Sequence, residues 1–284
     1  MTRLALATEP EYDRLEAPLR ERGITPVHVP TEERTVQLDT ASDADVDVGF
    51  VYPQRLPEGG VADALLDVPW VNDRETLLRS RYKAETLARL NSAGVPTPKT
   101  ISVSNPLTTE SLASVFDRFD GPVVVKPDYA TRGEGVVKVD DYDSLSGVVD
   151  YLDLLHTNPA VEDRTYLVQE YLPGAADYRA MVLDGAYAGG VERRLPADSD
   201  GDRWKYNVHR GAEAVGAELP AAWHEIAERA ADAIGSPYLG VDLLATDDRV
   251  VVTETNVRPT IDAAEKYEPD FFDRLVDVIR STAD

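Results

Sequence analysis

The chain has 284 residues, with 52 acidic against 29 basic side chains and a net charge of −23, so its surface repels a polyanion and no nucleic-acid partner is expected. It has no cysteine, which excludes disulfides, thiolate metal sites and a cysteine nucleophile. No apolar run approaches the ~20 residues that span a bilayer, and MTRLALATEPEYD turns acidic too soon for a secretory signal; the expectation is a cytoplasmic protein with no membrane partner.

RLALAT (3–8) reads as a strand. Residues 10–22 read as a helix, with Leu15 and Leu19 four apart and Gly23 as the residue just past its end. ITPVHV (24–29) and VDVGFV (46–51) read as two more strands. No glycine fingerprint follows the first strand, so dinucleotide binding is not expected there. Residues 53–70 read as a connection bearing proline and glycine, and 74–92 as one helix with Leu77, Leu78, Leu87 and Leu90. VPTPKT then breaks the helix and marks a boundary.

Thr108 or Thr109 caps the next helix, and GPVVVKP (121–127) is a buried-type strand. DYATRGEG is a glycine loop, VVKVDD a returning strand, and Asp143 is expected to cap the helix after it. RTYLVQEYL (164–172) is a strand, followed by a hairpin turning at Asp184-Gly185. Residues 196–218 read as irregular, 220–234 as a helix, 240–260 as a second hairpin and 270–282 as the last helix.

Four stretches carry candidate chemistry. In PVVVKPDYATRGEGVVKV a lysine, Lys126, ends a strand before Gly133 and Gly135, whose bare backbone lets amides approach an anion; a surface lysine beside an ordinary loop is the alternative. In LVQEYLPGAADYR a strand ends at a Pro-Gly break, where exposed backbone groups can pair with an adenine edge; a plain strand end with polar residues is the alternative, and the better reading of this stretch alone. Arg179, Arg193, Arg194, Lys205, His209, Arg210 and Arg258 concentrate positive charge in an acidic chain, which suits an anionic ligand or ion pairs with neighbouring acids. The hairpin GVDLLATDDRVVVTETNVRPT places Glu254 and Asn256 on one strand face, with Asp242 on the other arm. Three oxygen donors on one face suit Mg²⁺; otherwise they are acids on a half-buried hairpin.

Taken in order, these stretches resemble the ATP-grasp superfamily, and most of all its RimK-type glutamate ligase branch, from about Asn72 to Thr260. The strand and glycine loop, QEYL with Asp177-x-Arg179, GVERR, KYNVHRGA (205–212) and GVDLL…ETN match the branch's signatures. The resemblance implies a mixed α/β and α+β ATP-grasp fold. A Rossmann-like N-terminal domain (1–72) would precede a central subdomain with the glycine loop (73–173) and a C-terminal subdomain with the metal site (174–284). It implies ATP as nucleotide and Mg²⁺, or Mn²⁺, on Asp242, Glu254 and Asn256. Lys83 and Lys126 would contact the phosphates or the adenine side, Gly133 and Gly135 would close over them, Glu170 and Tyr171 would hold adenine, and Asp177 would lie near the ribose. Lys205 and Asn207 would contact the nucleotide, while Arg179, Arg193, Arg210 and Arg258 would bind the acid or its acyl phosphate.

The reaction implied joins a carboxylic acid to an amine, commonly glutamate or another amino acid, on a small molecule, peptide or protein tail. Homo-oligomers occur among such ligases. Two departures keep alternatives open: the hinge-to-Asp177 spacing is short, and Val257-Arg258-Pro259-Thr260 replaces Ala-Ser-Pro-Gly after Asn256. A guanidinium at 258 would point into the phosphate region. Ligation of a dipeptide or cofactor precursor, phosphoryl transfer to a hydroxyl, and nucleotide sensing without turnover are the other readings. The dispersed acidity and scarce lysine also resemble proteins of salt-loving organisms.

Overall fold

A computed structural model of the chain describes residues 1–39, 44–130, 133–158, 163–195, 204–205, 211–261 and 266–284. The first sheet is parallel, in the order β2-β1-β3-β4, from β1 (Arg3–Leu6), β2 (Thr25–His28), β3 (Val48–Val51) and β4 (Trp70–Asn72). Helix α1 (Glu9–Arg20) follows β1 and buries Leu15 and Leu19, as their four-residue spacing requires. A helix not foreseen, α2 (Leu56–Leu66), occupies the expected connection. Gly59 and Gly60 hide its propensity, yet a Cβ at Gly59 would stand 2.7 Å from the Tyr52 ring, so close packing demands glycine there.

The helix expected over 74–92 is two, α3 (Arg74–Arg81) and α4 (Lys83–Ser92), broken where Tyr82 turns extended at φ −98° and ψ 117°. No proline or glycine marks the break. Its cause is distant in sequence: the Ala84 N–H donates to Asp128 Oδ1 at 2.7 Å, so a loop carboxylate caps α4.

The second sheet is antiparallel, order β5-β8-β6-β7, built from β5 (Thr100–Ser104), β6 (Val123–Pro127), β7 (Val137–Val139) and β8 (Thr165–Glu170). Its back packs on α5 (Thr109–Phe116) and α6 (Tyr142–His156) through Val123, Val125, Leu112, Leu145 and Val149. The cap of α6 is Asp141 rather than Asp143, because Asp141 Oδ1 accepts the Ser144 N–H at 2.8 Å.

The third sheet, order β11-β10-β9-β12-β13, holds β9 (Ala176–Leu183), β10 (Ala186–Arg194), β11 (Glu213–Gly216), β12 (Tyr238–Ala245) and β13 (Val250–Asn256). Asp184 and Gly185, at φ 48° and 72°, make the expected tight turn between β9 and β10. β11 is a short, mostly exposed edge strand in the stretch read as irregular. α7 (Ala221–Ile234) lays Ala227, Ala230 and Ala231 on one face of this sheet. α8 (Phe271–Ala283) joins Met181 and Leu183 of β9 to the first sheet's core.

Asn72 ties the first and third sheets. Its buried amide donates to the carbonyls of Tyr238 at 2.6 Å and Val257 at 2.7 Å, and accepts from Ser236 Oγ at 2.9 Å. Asn72→Ala strips the Val257 carbonyl of this donor and leaves the Tyr238 carbonyl with Ser236 Oγ, and is expected to destabilise the fold by about 3 kcal/mol in urea unfolding.

Candidate active site

The second and third sheets face each other across a cavity of about 490 Å³. Alternation decides what each offers. On β6, Val123 and Val125 enter the core behind, so Val124 and Lys126 face the cavity; Val124 pairs with Lys138 and Gln169, which face it too.

Lys126 is 6% exposed, donates to Gln169 Oε1 at 3.0 Å and makes no ion pair among the described residues. Burial pushes its ammonium down to about 8, with Glu254 holding it up and Lys83 adding to the fall. A buried cation with no carboxylate in contact, on a cavity wall, suits an anionic ligand. Lys83 opens α4 beyond the Tyr82 break and donates to Ala130 O at 2.5 Å.

The third sheet supplies a row of charge. Register aligns Arg193 with Asp177, and Arg179 with Asp242, which itself pairs with Glu254. Arg179 grips Asp242 in two prongs, Nε to Oδ1 at 2.6 Å and Nη2 to Oδ2 at 2.9 Å. Arg193 bridges Asp177 and Asp242, each at 2.9 Å. Burial opposes ionisation of Asp242, but Arg179 and Arg193 together outweigh it and hold the carboxyl low. Burial raises Asp177, with Arg193 pulling against it and Asp242 adding to the rise.

The sheet register shifts by one residue between Asp242 and Leu243, where β13 passes from Glu254 to Val252. Thr253 is therefore the extra residue of a bulge. Strict alternation would put Val252 and Glu254 on one face; the bulge leaves Val252 in the core and turns Glu254 to the cavity. Asn256 follows on that strand and accepts the Arg258 N–H at 2.8 Å. Asp242, Glu254 and Asn256 are oxygen donors of the kind a hard divalent cation takes, although Asp242 is engaged by two guanidiniums.

At the cavity's far end, Tyr171 and Trp204 meet edge to face with centroids 5.7 Å apart, and the Lys138 ammonium lies 4.8 Å from the Tyr171 ring centre. These surfaces suit a planar base. Lys205 donates to the Val136 carbonyl. Glu170 lines the cavity while accepting from Lys99 N–H and Arg249, both at 2.7 Å. The Tyr171 N–H is taken by the Pro122 carbonyl. Gly133 lines the same space and Gly135 lies just outside its walls, against Pro127; both take φ +68°.

The cavity therefore gathers Lys83, Lys126, Gly133, Glu170, Tyr171, Asp177, Lys205 and Glu254. Arg258 stands apart from its walls: Nη2 donates to the carbonyls of Val51 at 2.9 Å and Tyr52 at 3.0 Å. Asn207, His209 and Arg210 lie outside the described residues. Sequence reasoning missed Lys138 and Trp204 as wall residues. Strand alternation from Lys126 across to β7 was the available signal for Lys138; nothing local marked Trp204.

A family model of the RimK-like ATP-grasp domain matches residues 80–279. A probable alpha-L-glutamate ligase of Stenotrophomonas maltophilia is 31% identical over 196 residues, covering 68% of this chain and 63% of the relative. A probable alpha-L-glutamate ligase of Legionella pneumophila is 30% identical over 198 residues, covering 69% and 61%. The chain thus spans less than two thirds of these relatives' length. In fold it is similar to D-alanine–D-alanine ligase of Bacillus anthracis, with a TM-score of 0.72, 17% identity and 100% and 97% of the two chains covered. It is also similar to a RimK domain ATP-grasp protein of Sphaerobacter thermophilus, with a TM-score of 0.69, 21% identity and 98% and 100% covered. With two sheets closing on one charged cavity and a domain match across most of its residues, the chain belongs to the RimK-like ATP-grasp family.

Proposed function

We propose that this protein is an ATP-dependent carboxylate–amine ligase of the glutamate ligase type, acting through an acyl phosphate. The single observation that carries this reading is the buried Lys126, without a carboxylate in contact, facing Glu254 across a cavity walled by aromatic rings.

In this reading Lys126 and Lys83 hold the phosphates of ATP, and Tyr171, Trp204 and the Glu170 strand end hold its base. Asp177 lies toward the ribose and Lys205 toward the glycine loop. Asp242, Glu254 and Asn256 supply oxygen donors for Mg²⁺ or Mn²⁺, which when bound contributes positive charge beside the phosphates. A carboxylate oxygen of the acid attacks the γ-phosphorus and ADP leaves. An amine then attacks the acyl carbon, loses a proton and expels phosphate. Lys126, Lys83 and the Arg179–Arg193 pair offset the charge that develops. Asn207 and Arg210 carry over into the site from the resemblance alone.

Phosphate release from MgATP across a panel of acids and peptides, with glutamate and other amines and products weighed by mass, tests the reading. Amine-dependent release with an amide mass gain supports it. Phosphate left on an acceptor hydroxyl would replace it with phosphoryl transfer.

The glycine loop gives a second expectation. A Cβ at Gly135 would stand 2.7 Å from Pro127 Cγ, at a φ of +68° that side chains rarely adopt. Gly135→Ala shifts the loop and exposes the acyl phosphate to water. Amide formation should fall by up to about 100-fold, with a larger share of the ATP consumed released without amide. Unchanged coupling of ATP use to amide would contradict the role given to the loop.

A further inference from the structure

Where α3 ends and α4 begins, four consecutive residues hold the three that lead from β6 toward Gly133. The Lys83 N–H donates to the Asp128 carbonyl at 3.3 Å, and its ammonium to the Ala130 carbonyl at 2.5 Å. The Ala84 N–H donates to Asp128 Oδ1 at 2.7 Å. Arg81 and Tyr82 complete the set on the residue between. The Arg81 guanidinium lies 4.1 Å from the Tyr129 ring centre, and the Tyr82 ring centre lies 6.0 Å from it. The contacts to Asp128 account for the break at Tyr82. They do not account for Arg81 or for the Tyr129 ring, neither of which lines the large cavity.

In a chain with 52 acidic side chains to 29 basic ones, an arginine ordinarily meets a carboxylate. Among the described residues Arg81 makes no ion pair: its Nη1 donates to the Gln54 carbonyl at 2.8 Å, and its Nε is buried with no acceptor. The Tyr129 ring is therefore its main company. That ring is 42% exposed, so burial does not hold it in place. A guanidinium over a tyrosine face is held by the ring's quadrupole, most firmly where water is partly excluded. Gln54 lies between β3 and α2, so one arginine side chain ties the layer of the first sheet to the root of the glycine loop. The Ala130 carbonyl follows Tyr129 directly and holds the Lys83 ammonium, so a shift of the ring moves Lys83. We propose that Arg81 is a positioning residue for the nucleotide cavity: anchored on Gln54 and stacked on Tyr129, it fixes residues 128–130 and with them the Lys83 ammonium. The inference rests on the reading of that cavity as the ATP site of a ligase, and it adds two side chains outside the cavity walls on which the site depends.

The test uses the full chain and two readouts: calorimetric affinity for a non-hydrolysable ATP analogue with Mg²⁺, and the KM for ATP during amide formation. Tyr129→Leu, at an exposed position, should leave the urea unfolding midpoint unchanged, weaken the analogue by about tenfold and raise the KM for ATP to match. Tyr129→Phe keeps the ring and should stay within about twofold of the wild type. Arg81→Ala should reproduce Tyr129→Leu. The double variant should lose no more than either single one, because both remove the same contact. Additive losses, a Tyr129→Phe variant as weak as Tyr129→Leu, or wild-type affinity in both single variants overturns the proposal. The expected pattern of analogue affinities in a protein that makes no amide would leave Arg81 its role and remove the ligase reading. Amide formation by the wild type, with the KM for ATP unmoved in Tyr129→Leu and Arg81→Ala, would do the reverse.

Discussion

Replacing Lys126 by methionine is expected to abolish ATP-dependent turnover while making the protein more stable. The side chain is 6% exposed and its ammonium is pushed down to about 8 from 10.5 by burial. A fall of that size costs the folded state on the order of 3 kcal/mol while the group is charged. Methionine keeps most of the volume, removes the charge and leaves only Gln169 Oε1 without its donor. The gain should be about 2 kcal/mol at pH 7 after that lost hydrogen bond. The sign fixes the pH dependence. The unfolded lysine binds more protons than the folded one between about 8 and 10.5, so wild-type stability rises with pH across that window. The gap between variant and wild type is therefore flat below pH 8 and closes toward pH 10.5. Against this gain, kcat/KM for ATP should fall by about 100-fold or more, because Lys83, tied to the Ala130 carbonyl, is then the one lysine left to the phosphates in this reading. Nucleotide-dependent thermal stabilisation should vanish with it. A variant that loses stability and keeps ATP binding would show that Lys126 is a structural cation.

Asp242→Asn and Glu254→Gln are expected to give opposite stability signatures with the same loss of turnover. Asp242 neutralises Arg179 and Arg193, whose side chains are 21% and 12% exposed. Removing the charge leaves Arg179 without an acid partner among the described residues and Arg193 with Asp177 alone, a defect of about 3 kcal/mol. Its carboxyl is held below the usual range, so that contribution is present above the ordinary pKa of about 4 and disappears only in strong acid. Glu254 makes no ion pair among the described residues and lines the cavity across from the buried Lys126. Its replacement should change stability by about 1 kcal/mol or less. Turnover should drop by about 100-fold or more in each, since each removes an oxygen donor next to the transferring group. Urea unfolding and initial rates, measured side by side, separate the two. Equal destabilisation would mean that Glu254 belongs to the same structural charge network.

Much of this architecture was legible because local chemistry and tertiary demand agree. The Asp184-Gly185 turn, the α1 stripe at Leu15 and Leu19, and the β12–β13 hairpin all follow from residues adjacent in sequence. What escaped was set at a distance. The chain breaks at Tyr82 because Asp128, more than forty positions on, caps α4. The α2 helix carries two glycines because Tyr52 packs against one of them. Cross-strand reach toward Asp242 was readable, but not the bulge at Thr253 that turns Glu254 toward the cavity, since register belongs to the pair of strands. The course of Arg258 depends on Val51 and Tyr52 at the far end of another sheet.

The central claim, an acyl phosphate formed on the acid, is tested most directly with the acid carrying ¹⁸O in its carboxylate. Attack of that carboxylate on the γ-phosphorus and later attack of the amine on the acyl carbon move one labelled oxygen into the released phosphate. The account predicts phosphate with a single ¹⁸O, formed together with ADP and one equivalent of amide. Unlabelled phosphate with label retained in the product, or AMP in place of ADP, would contradict it.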